Sequence, residues 1–147
     1  MNNDYKINIF LVDDDALFLK SLEIEFLNQP RFKVQTYATG ELCLASLSDK
    51  SNKPAIIILD YNLDGIIRKA MNGIDTLDLI KAHDPKIPVI MLSSQDKIDI
   101  AVDCMHHKAA DYIVKSETAF VRLQASIDNI FKYQRMQKEL GWYMDRM

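Results

Sequence analysis

A chain of 147 residues is long enough to bury one proper core, and 48% hydrophobic with 27% charged residues is ordinary for a globular protein. A net charge of −3 with no dominant basic stripe argues against direct nucleic-acid contact, and no apolar segment nears the roughly 20 residues of a membrane span. The start, Met1 to Lys6, lacks the cationic and apolar regions of a signal peptide, so the expectation is a cytoplasmic protein with no membrane attachment.

Five apolar runs alternate with five segments of helical period. The first run, Ile7–Val12, is followed by a helix that Asp15 would cap, with Phe18, Leu22 and Phe26 on one face. Asn28-Gln29-Pro30 ends it, and Phe32–Tyr37 is the second run. Thr39-Gly40-Glu41 opens a short second helix with Leu42, Ala45 and Ser46 on one side, and 48–54 is a polar loop before the third run, Ala55–Leu59. Ile74, Leu77 and Ile80 mark the third helix, stopped by Asp84-Pro85. Ile87–Leu92 is the fourth run, followed by a helix carrying Ile98, Ala101, Val102 and Met105, with Asp96 or Ser94 available to cap it. Asp111–Val114 is the fifth run, and Phe120, Leu123, Ile127 and Ile130 give the fifth helix. Strict alternation with short connections predicts an α/β fold: a parallel, doubly wound sheet of order 2-1-3-4-5 with helices on both faces.

Cys43 and Cys104 have no CxxC partner and read as small buried or half-buried thiols, while His83, His106 and His107 show no metal spacing and fall near helix ends. The chemistry gathers at the strand ends instead. The first run stops in Asp13-Asp14-Asp15 and the third in Asp60; the fourth ends in Ser93-Ser94 and the fifth in Lys115. In a sheet of this order, ligands bind at the carboxyl ends of the strands where strands 1 and 3 part, and the two acid clusters fall there. Close carboxylates repel by about 4 kcal/mol per pair at an effective dielectric of about 20, so such a pocket calls for a hard divalent cation such as Mg²⁺. A carboxylate there could itself attack phosphorus. Asp15 is a third acid in reach, but a helix-cap role explains it more simply.

Four segments carry a family likeness: Leu-Val-Asp-Asp-Asp (11–15), Ile-Leu-Asp-Tyr-Asn-Leu (58–63), Val-Ile-Met-Leu-Ser-Ser (89–94) and Ala-Asp-Tyr-Ile-Val-Lys (110–115). In this order, each at a strand end, they resemble the receiver domain of two-component response regulators, over residues 6 to about 131. The resemblance implies a flavodoxin-like (βα)5 fold and a phosphorylation cycle. Asp60 would be the phosphoacceptor. Asp13, Asp14, Asp60 and the backbone carbonyl of Asn62 would hold Mg²⁺. Lys115 would pair with Asp60 and then with the phosphoryl oxygens, Ser93 would be the switch hydroxyl, and Tyr112 the aromatic switch on the fifth strand. Asn62 and Gln95 occupy the family's rate-tuning positions. Implied partners are a sensor histidine kinase or a histidine phosphotransfer protein, and a downstream protein or detached output domain. Phosphorylation would reshape the face formed by the fourth helix, fifth strand and fifth helix, a face that, like the C-terminal helix, could also support a homodimer. Such a domain is not an enzyme beyond its own phosphorylation and dephosphorylation.

Three departures from the family pattern stand out. Asp64 replaces the usual proline four residues after the acceptor, and the glycine equivalent, Gly73, lies thirteen residues after Asp60, so the 64–72 loop is lengthened. Ser116 follows Lys115 where a cis proline is usual, and a cis bond before any other residue costs about 2.5–4 kcal/mol. The last helix runs on to about Leu140, followed by Trp142, Tyr143, Met144 and Met147, apolar for a free end. The expected division is a receiver domain over 5–131 and a helical extension or linker over 132–147. Two rival readings share part of the pattern: a degenerate, interaction-only receiver, and a haloacid-dehalogenase-type phosphohydrolase. The latter needs an acid two residues after its nucleophile, where this chain has Asn62.

Overall fold

The computed structural model describes residues 6–65 and 69–147. Five parallel strands, β1 (Ile7–Val12), β2 (Phe32–Tyr37), β3 (Ile56–Asp60), β4 (Val89–Ser93) and β5 (Asp111–Val114), form one sheet in the order β2-β1-β3-β4-β5. Between and after them run α1 (Ala16–Leu27), α2 (Gly40–Leu47), α3 (Gly73–His83), α4 (Ile98–His106) and α5 (Ala119–Arg146). This is the doubly wound, flavodoxin-like α/β arrangement expected from the alternation. The polar 48–54 segment contains one 3₁₀ turn, Lys50–Asn52.

The strands are apolar on both faces because each face has its own core. Ile9, Leu11, Ile56, Ile58, Ile90 and Leu92 pack with Leu22 and Phe26 of α1 and Leu123 and Ile127 of α5. The alternate residues Phe10, Val12, Ile57, Leu59, Val89 and Met91 pack with Cys43 and Leu47 of α2, Leu77 and Ile80 of α3, and Cys104 of α4. Period-2 alternation thus sorts one sequence run into two cores. Cys43 and Cys104 are fully buried, and burial pushes the thiols up to about 12 and about 11, which leaves them unreactive.

Several boundaries and faces differ from the sequence reading. β4 starts two residues later than Ile87, because Pro88 has no N–H for a ladder, although its carbonyl still accepts from Ile57 N at 3.0 Å. β3 is shifted by one residue to include Asp60. On α2 the inward residues are Gly40, Cys43 and Leu47, whereas Leu42 points outward. The cause is Gly40, where a Cβ would stand 2.1 Å from Thr76 Oγ1 of α3; that crossing sets the helix's rotation. On α4 the stripe of Ile98, Val102 and Met105 faces out and Cys104 faces in, with Ile100 packed against the core. Neither Ser94 nor Asp96 caps α4; its N-cap is Lys97, which makes no side-chain cap bond. Asp15 does cap α1, accepting from Leu17 N and Phe18 N. α5 continues past Leu140 to Arg146, so Trp142, Tyr143 and Met144 are helical. Among the described residues no peptide bond is cis, so Lys115–Ser116 is trans. No described helix is long and apolar enough to cross a membrane.

Candidate functional site: an acidic pocket at the strand ends

Sheet register brings the acids together. Val12 of β1 pairs with Leu59 of β3, so Asp13 and Asp60, each one residue further on, end level with each other on adjacent strands. Asp60 pairs with Leu92, and Ser93 with Val114, which sets Ser93 and Lys115 at the same rim. Asp13 and Asp60 are 3% and 2% exposed, and Asp14 is half-buried beside them. One carboxylate oxygen from each of the three lies within 4.8 Å of the others.

Lys115 Nζ stands 2.8 Å from Asp13 Oδ2 and 3.4 Å from Asp60 Oδ1, and 4.7 Å over the ring of Phe18. Its backbone N–H donates to Ser93 O at 2.8 Å, so a trans bond to Ser116 still leaves the ammonium in the pocket. Burial opposes the ammonium's charge, but Asp13 and Asp60 outweigh it and hold the Lys115 pKa above its ordinary value. For Asp60 the balance runs the other way. Burial, then the neighbouring Asp13 charge, push its carboxyl up to about 7 in spite of Lys115.

Each acid is also tied to the backbone. Asp13 Oδ1 accepts from Asp15 N at 2.9 Å, and Asp60 Oδ1 from Asn62 N at 3.2 Å. Among the described residues Asp13 Oδ2 accepts no hydrogen bond of good angle, so the ionic contact with Lys115 is what compensates it. A buried anionic oxygen of this kind, within reach of two further carboxylates, fits a hard divalent cation. The donor set, carboxylates and carbonyls without His or Cys, suits Mg²⁺ rather than zinc.

Ser93 is fully buried and its Oγ accepts from Gln95 N at 3.0 Å, while the Tyr112 hydroxyl donates to Gln95 O. The two switch candidates therefore converge on the backbone of one residue of the β4–α4 loop, Ser93 on the N–H of Gln95 and Tyr112 on its carbonyl. Gln95 enters this arrangement through its backbone.

Three residues of the site were not singled out in the sequence for what they do here. Phe18, read as part of the α1 core stripe, lies under the ammonium. Gly65 approaches the acids so closely that a Cβ there would be 3.3 Å from Asp14 Oδ2 and 3.7 Å from Asn62 O. Gly73 opens α3 against the backbone that follows Asp60, with its N–H on Tyr61 O at 3.1 Å; a Cβ would sit 2.5 Å from Asp60 O. The signal for Gly73 was present, a glycine at a helix start after the long loop. Nothing in local pattern distinguishes Phe18 or Gly65. The long loop's far end is tied to α2, Met71 N donating to Glu41 Oε2 at 3.0 Å; its middle, 66–68, lies outside the described residues.

Comparison with known proteins agrees with this geometry. The family profile described as "Response regulator receiver domain" matches residues 9–128. The chain is 29% identical over 119 residues to the regulatory protein LuxO of Vibrio vulnificus, covering 81% of this chain and 24% of that one. It is 33% identical over 107 residues to the transcriptional regulatory protein PrrA of Mycobacterium tuberculosis, covering 73% of this chain and 42% of that one. The chain thus spans less than half the length of these curated relatives. Among solved structures it is similar to one of the CheX-CheY-BeF3-Mg+2 complex from Borrelia burgdorferi, with a TM-score of 0.74 and 26% identity over 85% of this chain and 89% of that one. With the profile spanning most of its length, the chain belongs to the response regulator receiver domain family of two-component systems.

Proposed function

We propose that this receiver accepts a phosphoryl group on Asp60 from a phosphohistidine, carried by a sensor histidine kinase or a histidine phosphotransfer protein. The observation that carries the reading is the Lys115 ammonium shared between Asp13 and Asp60 at a strand-end pocket of three carboxylates. An Asp60 oxygen attacks phosphorus, the bond from phosphorus to the histidine nitrogen breaks, and an acyl phosphate results that water later hydrolyses. Lys115, already within 3.4 Å of Asp60, neutralises charge on the phosphoryl oxygens. Asp13, Asp14, Asp60 and the Asn62 carbonyl would hold Mg²⁺, which supplies charge compensation to the transferring group. The BeF3-Mg+2 complex of the similar CheY protein supports both the cation and the phosphoryl site.

Ser93 turning toward a phosphorylated Asp60 would release the Gln95 N–H, and Tyr112, bound to the carbonyl of the same residue, would follow. That shift of population would alter the α4-β5-α5 face, where Ile98, Val102 and Met105 are already exposed to a downstream protein or output domain. Asn62 and Gln95, polar and uncharged, favour moderate dephosphorylation. The receiver is assigned to 5–131 and the helical extension to 132–147, with the cytoplasm as its place of action. Its only catalysis is on its own aspartate.

Acetyl phosphate with Mg²⁺ should add one acid-labile phosphoryl group, seen by intact-protein mass spectrometry, and Asp60→Asn should abolish it. Labelling that persists in the Asn variant would overturn the assignment. Failure to bind Mg²⁺ or beryllofluoride would favour an interaction-only receiver.

A further inference from the structure

The end of the sheet opposite the acids carries the reverse charge. α5 begins after the carboxyl end of β5 and runs back along the sheet, so its later turns pass the amino ends of the strands. Between the two lies a cleft of about 1010 Å³. One wall is the chain just before β3, β4 and β5, with Pro54, Pro85, Ile87, Pro88 and Ala110. The other is one flank of α5, from Ser126 through Ile130 and Tyr133 to Lys138. The phosphorylation chemistry uses none of these residues.

Four lysines line the cleft, Lys53, Lys81, Lys86 and Lys138, in a chain whose net charge is −3. The one acid among the lining residues is Asp111, and both its oxygens are engaged, by Ser126 Oγ at 2.6 Å and Tyr112 N at 2.8 Å. Lys53 Nζ is 3.2 Å from Asp84 Oδ2, but among the described residues Lys81, Lys86 and Lys138 make no ion pair. Lys81 is the least exposed of the four. Its ammonium donates to the carbonyls of Ile87 at 2.7 Å and Pro85 at 3.4 Å. Burial lowers its pKa, which the charge of Asp84 only partly offsets. A partly desolvated ammonium held by carbonyls, with no carboxylate beside it, gains from an anion brought into the cleft.

We propose that this cleft binds a nucleoside phosphate, its phosphates against the lysines and its base against the α5 wall. Charge selects an anion, and size selects one larger than inorganic phosphate, since pockets of about 300–1,000 Å³ hold whole organic ligands. The walls supply what a base needs. Prolines and isoleucines give an apolar surface, and Tyr133 gives a ring for stacking, its hydroxyl oxygen accepting from Gln137 Nε2 at 3.1 Å. The side-chain amides of Asn129 and Gln134 both donate and accept, as the edge of a base does. An acidic peptide fits less well. An extended peptide pairs with an exposed strand edge, whereas these walls are strand ends, a loop and a helix flank.

The cleft asks nothing of Asp60, so the test uses the unphosphorylated full chain, in buffer with EDTA to keep Mg²⁺ from the acidic pocket. Isothermal titration calorimetry with ATP should give one saturable site with a dissociation constant below ~1 mM. Lys86→Glu and Lys138→Glu should each weaken ATP at least about tenfold. Lys33→Glu, the same charge change on β2 at the far edge of the sheet, should leave it within about twofold. All three lysines are exposed and outside both cores, so circular dichroism of the variants should match the parent. Tyr133→Ala should weaken ATP at least about fivefold and leave binding of inorganic tripolyphosphate unchanged. Amide shifts on adding ATP should centre on Ile87 and Tyr133 and spare Asp60 and Ser93. No saturable binding, tripolyphosphate binding as tightly as ATP, equal losses in Lys33→Glu and Lys86→Glu, or shifts centred on Asp60 overturns the proposal. So does a hexaglutamate peptide that binds more tightly than ATP, which would make the cleft a protein-docking surface.

Discussion

Asp60 sits where burial and the Asp13 charge both oppose its ionisation, and that has a consequence for stability. Its carboxyl is raised from 3.8 to about 7 in the fold. The folded state therefore holds the proton more tightly than the unfolded chain does. The resulting stabilisation is full below about pH 4 and is lost as pH rises through about 7. In Mg²⁺-free buffer near pH 8 the wild type should be less stable than Asp60→Asn by on the order of a few kcal/mol, read by urea unfolding. Below about pH 4 the two should converge. A variant no more stable at pH 8 than the wild type would show that Lys115 already cancels the cost. Most of this site was legible as text, because Asp13, Asp60, Ser93 and Lys115 each end an apolar run and the parallel register lines those ends up. Phe18 and Gly65 were not, since their roles come from approach across the fold: an aromatic on α1 reaching a lysine after β5, and a loop backbone settling on Asp14.

Helices show the limit of reading by hydrophobicity alone. The stripe of Ile98, Val102 and Met105 is the more apolar side of α4, yet it faces solvent, and the buried residue is Cys104. Period correctly marked a helix but not its rotation, which is set by what the neighbours leave open. On α2 the determinant is Gly40 against Thr76, a contact between elements far apart in the chain. One tie on α4 makes a prediction. His107, at its C-cap, has Nδ1 2.7 Å from Asp78 Oδ1 of α3 and Nε2 3.6 Å from Asp103 Oδ1. The hydrogen bond to Asp78 is the main cause that raises its pKa above 6.5; desolvation opposes it, and the charges of Asp78, Asp103 and Asp75 add lesser support. A raised folded pKa stabilises fully below the unfolded value, about 6.5, and the gain is lost as pH rises through the folded one. The melting temperature should fall between about pH 6 and pH 8 by an amount that His107→Gln removes, leaving a flatter profile. An unchanged profile in His107→Gln would show that the pair contributes nothing to the fold.

Across the whole molecule the sheet separates two surfaces. Its carboxyl ends carry the acids and Lys115; α5 runs back past the other end, where its last turns are exposed. The three carboxylate oxygens already lie within 4.8 Å of one another, so the site proposed for Mg²⁺ is assembled before a cation enters, and a bound cation would relieve their repulsion. Mg²⁺ should therefore stabilise the fold by mass action, about 2.7 kcal/mol at a hundredfold excess over its dissociation constant. The increase in melting temperature should follow added MgCl₂ and vanish with EDTA. Asp13→Asn should reduce it strongly, because Asp13 Oδ2 is a buried oxygen that, among the described residues, only the Lys115 ammonium compensates. Sites this far apart and sharing no partner are additive to within about 0.3–0.5 kcal/mol. Leu140 is exposed on the last helix, so the Mg²⁺ shift should be the same in Leu140→Lys as in the wild type. A smaller shift in Leu140→Lys would mean that the exposed helix and the strand-end pocket are coupled through the body, which the separate packing of the two ends does not predict.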